Sequence, residues 1–118
     1  MPDASLTVYG LKNCDTCRKA LRFLKDGGVG HSFVDVRADG VTRERIASWA
    51  EQVGWEVLLN RRGTTWRGLD EADKADVDAA KAVDLMAAHP ALIKRPVIER
   101  EGAVHVGFTN ETKSLLTS

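Results

Sequence analysis

The sequence predicts an α/β fold with the element order β-α-β, then helices, then β-β-α. Two β-prone runs enclose an amphipathic helical stretch near the start, and two more follow each other closely near the end. The residues between these ends have helical spacing and predict a helical insertion at about residues 40–92. A chain of 118 residues suits one compact domain, so we expect a single domain over residues 1–118.

The β-α-β unit occupies about the first 36 residues. Residues 6–9 are β-prone and end at Gly10, and residues 31–36 form a second β-prone run. Between them, residues 15–25 place apolar side chains at helical spacing, and a Gly-Gly pair follows. Because such crossovers are right-handed, we expect the two strands to be parallel.

The rest of the chain predicts helices followed by a hairpin. Thr42 is a candidate N-cap for a helix that ends at residue 53, and residues 73–89 are helical as one helix or two pieces. Residues 55–70 give no clear assignment. Residues 97–99 and 104–106 are joined by a short glycine-containing connection that is typical of a β-hairpin, and a last helix spans residues 110–116.

Charge and hydropathy exclude several classes of function. Seventeen basic residues balance seventeen acidic ones, which argues against broad electrostatic binding to nucleic acid or to a membrane surface. No apolar run approaches the ~20 residues that span a bilayer, and the N-terminal residues do not resemble a signal peptide. We therefore expect a cytoplasmic protein, in which thiols are kept reduced.

The motif Cys14-Asp-Thr-Cys17 lies between the first strand and the first helix. The N–H groups and partial positive charge of a helix N-terminus stabilise a thiolate, and Arg18 and Lys19 add positive charge. Cys14, at the loop edge, is the expected nucleophile. Cys17 is one helical turn further on, where it can resolve a mixed disulfide or close a bond to Cys14.

Two other interpretations of this motif are weaker. Half of a zinc site would need further ligands, but the sequence has no second Cys-x-x-Cys and its three histidines lack ligand spacing to the pair. Two incidental small apolar residues are the other alternative. The strand–motif–helix context favours redox chemistry without a bound metal.

Other residues are candidates for binding the substrate. Arg95, before Pro96 and a strand, can place a guanidinium near the sulfur, because such a proline faces the cysteine loop in a thioredoxin-like fold; a surface arginine before a structural proline is the alternative. Arg62 lies in a basic loop that can hold an anionic cosubstrate or be simply solvated. Asn13 can orient the loop, bind substrate or form a turn.

Three segments together resemble the arsenate reductase (ArsC)/Spx-like family, and within it the YffB-like branch. They are YGLKNCDTCRKA from Tyr9, GWEVLLNRRGTTWR from Gly54 and IKRPV from Ile93. The resemblance implies a thioredoxin-like fold with a helical insertion, a catalytic Cys14 and an oxyanion-binding Arg95. In such arsenate reductases the cysteine attacks arsenate, and glutathione and glutaredoxin release the adduct.

Two departures from the family pattern shape the functional prediction. Asn60 and Gly107 stand where further arginines would be expected, which weakens the case for a trianionic substrate. With these departures, the resemblance to the YffB-like branch implies a glutathione-dependent thiol/disulfide reductase with no bound cofactor, served by glutathione, glutaredoxin or thioredoxin. The alternatives are an arsenate reductase and an Spx-type redox-sensing regulator that binds the RNA polymerase α subunit.

Overall fold

A computed structural model of the protein describes residues 6–100, 102–110 and 112–113. These residues belong to two compact units. The first contains the described residues up to Asp39 and from Arg95 onward, and the second is Gly40–Lys94. The second unit is thus inserted, in sequence, between the two halves of the first. The single domain over residues 1–118 stays a prediction.

A four-stranded mixed sheet forms the centre of the first unit. Its order is β2-β1-β3-β4, with β1 parallel to β2 and the other neighbouring pairs antiparallel. The strands are β1 Leu6–Gly10, β2 Ser32–Asp35, β3 Val97–Arg100 and β4 Ala103–Val106. This sheet confirms the predicted α/β fold class, including the parallel first pair and the terminal hairpin.

Helix α1, Asp15–Asp26, follows β1 and contributes to the core of the first unit. Its residues Cys17, Ala20 and Leu24 are buried, at the three-to-four-residue spacing that puts side chains on one helix face. Leu24 is completely buried with the strand residues Val8 and Ile98. Burial of a leucine side chain of this kind contributes roughly 1.5–3 kcal/mol to stability.

The register of the parallel pair brings the end of β1 beside the end of β2. Gly10 pairs with Asp35, and the Gly10 carbonyl accepts a hydrogen bond from the Val36 N–H at 2.9 Å. The loop that leaves Gly10 therefore starts next to Asp35. That loop carries the cysteine motif.

The second unit is helical. Thr42 caps its first helix as predicted, because Thr42 Oγ1 accepts a hydrogen bond from the Arg45 N–H. Ile46, Trp49 and Met86 are completely buried in this unit. The helices are α2 Arg43–Val53, α3 Trp55–Leu58, α4 Thr64–Arg67, α5 Glu71–Lys74 and α6 Ala79–Ala88, followed by a 3₁₀ turn at Pro90–Leu92.

The structure resolves two regions that the sequence pattern left open. Residues 55–70 contain the single-turn helices α3 and α4, which are too short to show a helical period. The predicted helical region at 73–89 is two pieces, because Asp76 has a positive φ of 51° and Asp78 caps α6.

At the C-terminal end, Asn110, Thr112 and Lys113 are helical, and the rest of the predicted last helix lies outside the described residues. Within the described ranges, every helix is too short or too polar to cross a bilayer.

Candidate thiol site

Cys14 is the N-cap residue of α1. Its backbone is extended, with φ −94° and ψ 121°, and its N–H donates to the Leu11 carbonyl at 3.1 Å, which closes a tight turn. Its own carbonyl accepts from the Arg18 N–H at 3.0 Å and so starts the helix. The half-buried Cys14 side chain therefore lies at the helix N-terminus, where N–H groups lack intrahelical partners.

The electrostatic surroundings lower the pKa of the Cys14 thiol. Partial burial is the largest single influence and acts to raise that pKa, but hydrogen bonding outweighs it. The backbone N–H and the thiol of Cys17 both act on the Cys14 sulfur, and Arg95 adds a hydrogen bond and a positive charge. The site thus favours a thiolate at Cys14.

Arg95 reaches this sulfur from the other half of the first unit. It directly precedes Pro96 and β3, the Arg95–Pro96 peptide bond is cis, and Pro96 is buried. The Pro96 carbonyl accepts a hydrogen bond from the Gly107 N–H at 2.8 Å. The fold therefore brings together the residues predicted from two distant motifs, Cys14 and Arg95.

Cys17 has the opposite environment to Cys14. Its side chain is completely buried, and burial is the main reason why its pKa is raised to about 12. A Cβ atom at position 10 would overlap Cys17 Sγ and lie 3.3 Å from Cys17 Cβ. Glycine at position 10 therefore provides the space that Cys17 occupies.

Among the charged side chains of the described residues, Arg95 is the one that acts on the Cys14 sulfur. The guanidinium of Arg18 donates to the Lys12 carbonyl at 3.2 Å and forms an exposed ion pair with Asp15 at 3.7 Å. Arg18 therefore fastens the loop before Cys14, and the groups that act on the sulfur are Cys17 and Arg95. Lys19 is exposed on α1.

Asp35 is a residue of this region that the sequence pattern did not single out. Its buried carboxylate accepts from the N–H groups of Lys12, Arg37 and Ala38, at 3.2, 2.9 and 2.8 Å. The Ala38 bond is the largest cause that lowers the pKa of Asp35, against burial, and the Lys12 and Arg37 bonds add to it. An aspartate at a strand end followed by a turn was the available sequence signal.

The remaining predicted binding residues are exposed. Asn13 lies in the turn just before Cys14. Arg62 belongs to the second unit, where its N–H donates to Asn60 Oδ1 at 3.0 Å and its carbonyl accepts from the Arg67 guanidinium at 2.8 Å. These bonds order the basic loop, and the roles of Asn13 and Arg62 in binding stay predictions.

The two positions where the sequence departs from the family pattern both have backbone roles. The Asn60 N–H donates to the Leu92 carbonyl at 2.7 Å, and its side chain accepts from Arg62. Gly107 has a φ of 87°, a conformation that costs a non-glycine residue energy. Neither position supplies a guanidinium, so Arg95 is the cation shown to act on Cys14.

Metal ligation has little support in the described part of the chain. No group of three or more His, Cys, Asp or Glu side chains is arranged there to hold a metal ion. A structural zinc site needs four ligands. Within those residues, Cys14 and Cys17 therefore lack the partners that a zinc site requires.

The β-α-β and β-β halves, with a thiol at the N-terminus of α1, define a thioredoxin-like protein of the thiol-based reductase class. The chain belongs to the ArsC family, whose sequence profile matches residues 9–114. The family predicted from the three motifs is thereby confirmed.

Individual relatives agree over almost the full chain. A solved structure named YffB protein is 45% identical, with a TM-score of 0.91 over 96% of this chain and 99% of that one. An uncharacterised protein of Haemophilus influenzae is 44% identical over 90% of this chain and 93% of its own length. The global transcriptional regulator Spx 2 of Lactococcus lactis is 25% identical over 90% of this chain and 81% of its own.

Proposed function

We propose that the protein is a glutathione-dependent thiol/disulfide reductase that uses the Cys14 thiolate as nucleophile. The observation that carries this proposal is the lowered pKa of Cys14, maintained against burial by Cys17 and Arg95. The thiolate is the form of cysteine that attacks disulfides. Membership of the ArsC family supports thiol chemistry as the general activity.

The proposed reaction has two exchange steps at Cys14. The Cys14 thiolate attacks one sulfur of a disulfide R–S–S–R′, forms Cys14–S–S–R and expels R′S⁻. Glutathione thiolate then attacks the R sulfur, and the bonding electrons return to Cys14. R′ is thereby released as a thiol, and R is transferred to glutathione as a mixed disulfide. A second glutathione thiolate attacks the glutathione sulfur of that mixed disulfide, releases RS⁻ and forms oxidised glutathione; glutaredoxin or thioredoxin can reduce the same mixed disulfide.

Arg95 has a role in both steps. Its guanidinium stabilises the attacking thiolate at the start and the leaving thiolate at the end, since both carry their charge on Cys14. The same planar group can hold a carboxylate of the bound thiol with paired hydrogen bonds. Asn13 and Pro96, which belong to the same unit as Cys14, are proposed to contribute to binding of that molecule.

A single guanidinium acting on the sulfur favours a disulfide over arsenate as substrate. A trianionic transition state is stabilised chiefly by preorganised positive charge and hydrogen-bond donors. Gly107 supplies no side chain, and its left-handed backbone disfavours a larger residue. Arsenate reduction is therefore the alternative activity, and the experiment described below includes arsenate as a substrate.

A redox-sensing regulator is the second candidate function. The relative named Spx 2 is a global transcriptional regulator and aligns over most of both chains. The two coupled sulfurs at Cys14 and Cys17 could respond to oxidation at the start of α1. This candidate predicts oxidation-dependent binding to the RNA polymerase α subunit and no catalytic turnover.

The test is reduction of a small disulfide by glutathione, followed as the formation of oxidised glutathione. We expect the wild-type protein to turn over and Cys14→Ser to have no activity above the uncatalysed rate. Arsenate, tested in parallel with glutathione and glutaredoxin, should give no turnover. Full activity in Cys14→Ser, or arsenate turnover without disulfide turnover, would contradict the proposal.

A further inference from the structure

Cys17 is a second sulfur in the thiol site that the proposed reaction leaves without a role. It lies in the first turn of α1, three residues after Cys14, and its side chain is completely buried. Its sulfur occupies the space above Gly10, where a Cβ atom would overlap it. A disulfide substrate in solution therefore cannot reach Cys17 directly.

The polar contacts of Cys17 are directed at the cysteine loop. Its thiol is hydrogen-bonded to the sulfur of Cys14, and the backbone N–H of Leu11 donates to the sulfur of Cys17. Among the described residues, the ionisable groups that act on the two sulfurs are the sulfurs themselves and Arg95. Cys17 thus contacts both Leu11, the first residue of the loop, and the nucleophile Cys14.

We propose that Cys17 is a positioning residue and not the resolving thiol: its buried S–H donates a hydrogen bond to the Cys14 thiolate, and an external thiol releases the adduct. This inference rests on the proposed function and assigns the second step to a thiol in solution. In that step the external sulfur bonds to the R sulfur of Cys14–S–S–R. The bond to Cys14 breaks, and its electron pair stays on the Cys14 sulfur.

Resolution by Cys17 would first require its deprotonation in a buried position. Its pKa is raised to about 12, chiefly by burial, so the thiolate form of Cys17 is disfavoured at neutral pH. The negative charge of Cys14, one cause of that high pKa, disappears in the mixed disulfide. Burial, the largest cause, remains. An external thiol, which is not buried, therefore has the advantage.

The hydrogen bond is tested by the pH dependence of Cys14 alkylation, measured on wild type, Cys17→Ala and Cys17→Ser without any substrate. Alanine removes the donor, whereas serine keeps an O–H at the same place. We expect the midpoint of alkylation to rise by roughly one pH unit in Cys17→Ala, which corresponds to about tenfold less thiolate at pH values below the wild-type midpoint. In Cys17→Ser the midpoint should return toward that of wild type. A midpoint in Cys17→Ala equal to that of wild type would overturn the positioning role.

The resolving role is tested by glutathione-driven disulfide reduction with the same variants. Cys17→Ala should lose up to about tenfold of its rate at pH values below the wild-type alkylation midpoint and recover it above the shifted midpoint. Loss of turnover at every pH in both Cys17 variants, with Cys14 still alkylated, would show that Cys17 resolves the adduct. Absence of turnover in wild type would instead contradict the proposed function, while the alkylation profile would still report on the hydrogen bond.

Discussion

The backbone N–H of Lys12 donates a hydrogen bond to Asp35 Oδ2 at 3.2 Å, across 23 residues of sequence. Asp35 ends β2, whereas Lys12 lies two residues before the nucleophile Cys14. The parallel pairing of Gly10 with Asp35 makes this contact possible. The buried carboxylate therefore connects the second strand to the loop that presents the sulfur.

Replacement of Asp35 by alanine is expected to destabilise the protein by about 1–3 kcal/mol. The substitution removes a buried carboxylate that accepts from the N–H groups of Lys12, Arg37 and Ala38, and hydrogen bonds to a charged group contribute more than neutral ones. Unfolding in urea measures the effect. Asp26→Ala, at the exposed end of α1, is the matched control and should change stability by less than about 0.5 kcal/mol. Equal effects of the two substitutions would contradict this role.

The same carboxylate predicts a loss of stability in acid. Because the folded state lowers the pKa of Asp35, its contribution is fully present above the ordinary carboxyl pKa of about 3.9 and is lost as the pH falls through the lowered folded value. Urea unfolding of wild type and Asp35→Asn from pH 6 to pH 2 tests this. The stability difference between them should shrink toward the acid end, and a constant difference would be inconsistent with the linkage.

Replacement of Arg95 by methionine is expected to raise the pKa of Cys14, because a hydrogen bond and a positive charge are both removed. Arg95→Lys keeps the charge and should cause a smaller rise. The ultraviolet absorbance of the thiolate, followed against pH in Cys17→Ser to isolate Cys14, measures both. Arg22→Met, exposed on α1, serves as the control, and an Arg95→Met profile like that of Arg22→Met would reject the assignment.

Local sequence patterns were sufficient to predict the elements that depend on residues close together in the sequence. The strand before Gly10, the helix after Cys14 and the cap at Thr42 each depend on residues close in sequence, and the structure has all three. Arg95 is distant from Cys14 in the chain, so it could be associated with the sulfur only through the expected fold and the family resemblance, and not through a local pattern.

Contacts that depend on pairing between distant elements were not predictable in the same way. The hydrogen bond from Lys12 to Asp35 depends on the pairing of β1 with β2, two strands that are separated in the sequence by α1. The one-turn helices α3 and α4 were missed because four residues cannot show a period. The raised pKa of Cys17 follows from burial in the folded chain, whereas the motif alone left two roles open for it.

Replacement of Gly10 by alanine is expected to cost roughly 1–3 kcal/mol, because the new methyl group would overlap the sulfur of Cys17 in a packed interior. Urea unfolding measures the loss. Cys17→Ala in the same chain removes the overlapping atom and should recover part of it, although the Cys17 Cβ is only 3.3 Å away. Strict additivity of the two substitutions would show that the overlap is not the cause.

Replacement of Gly107 by alanine is expected to destabilise the protein by about 1–2 kcal/mol, because its φ of 87° is unfavourable for any residue with a Cβ atom. Gly68→Ala, at an ordinary φ of −80°, is the control and should be neutral or slightly stabilising in the same urea experiment. Gly107→Arg would have the same unfavourable φ. The position is next to Pro96, whose carbonyl accepts a hydrogen bond from the Gly107 N–H. Restoring the missing arginine should therefore not give arsenate turnover, and measurable turnover in Gly107→Arg would show that charge alone separates this chain from an arsenate reductase.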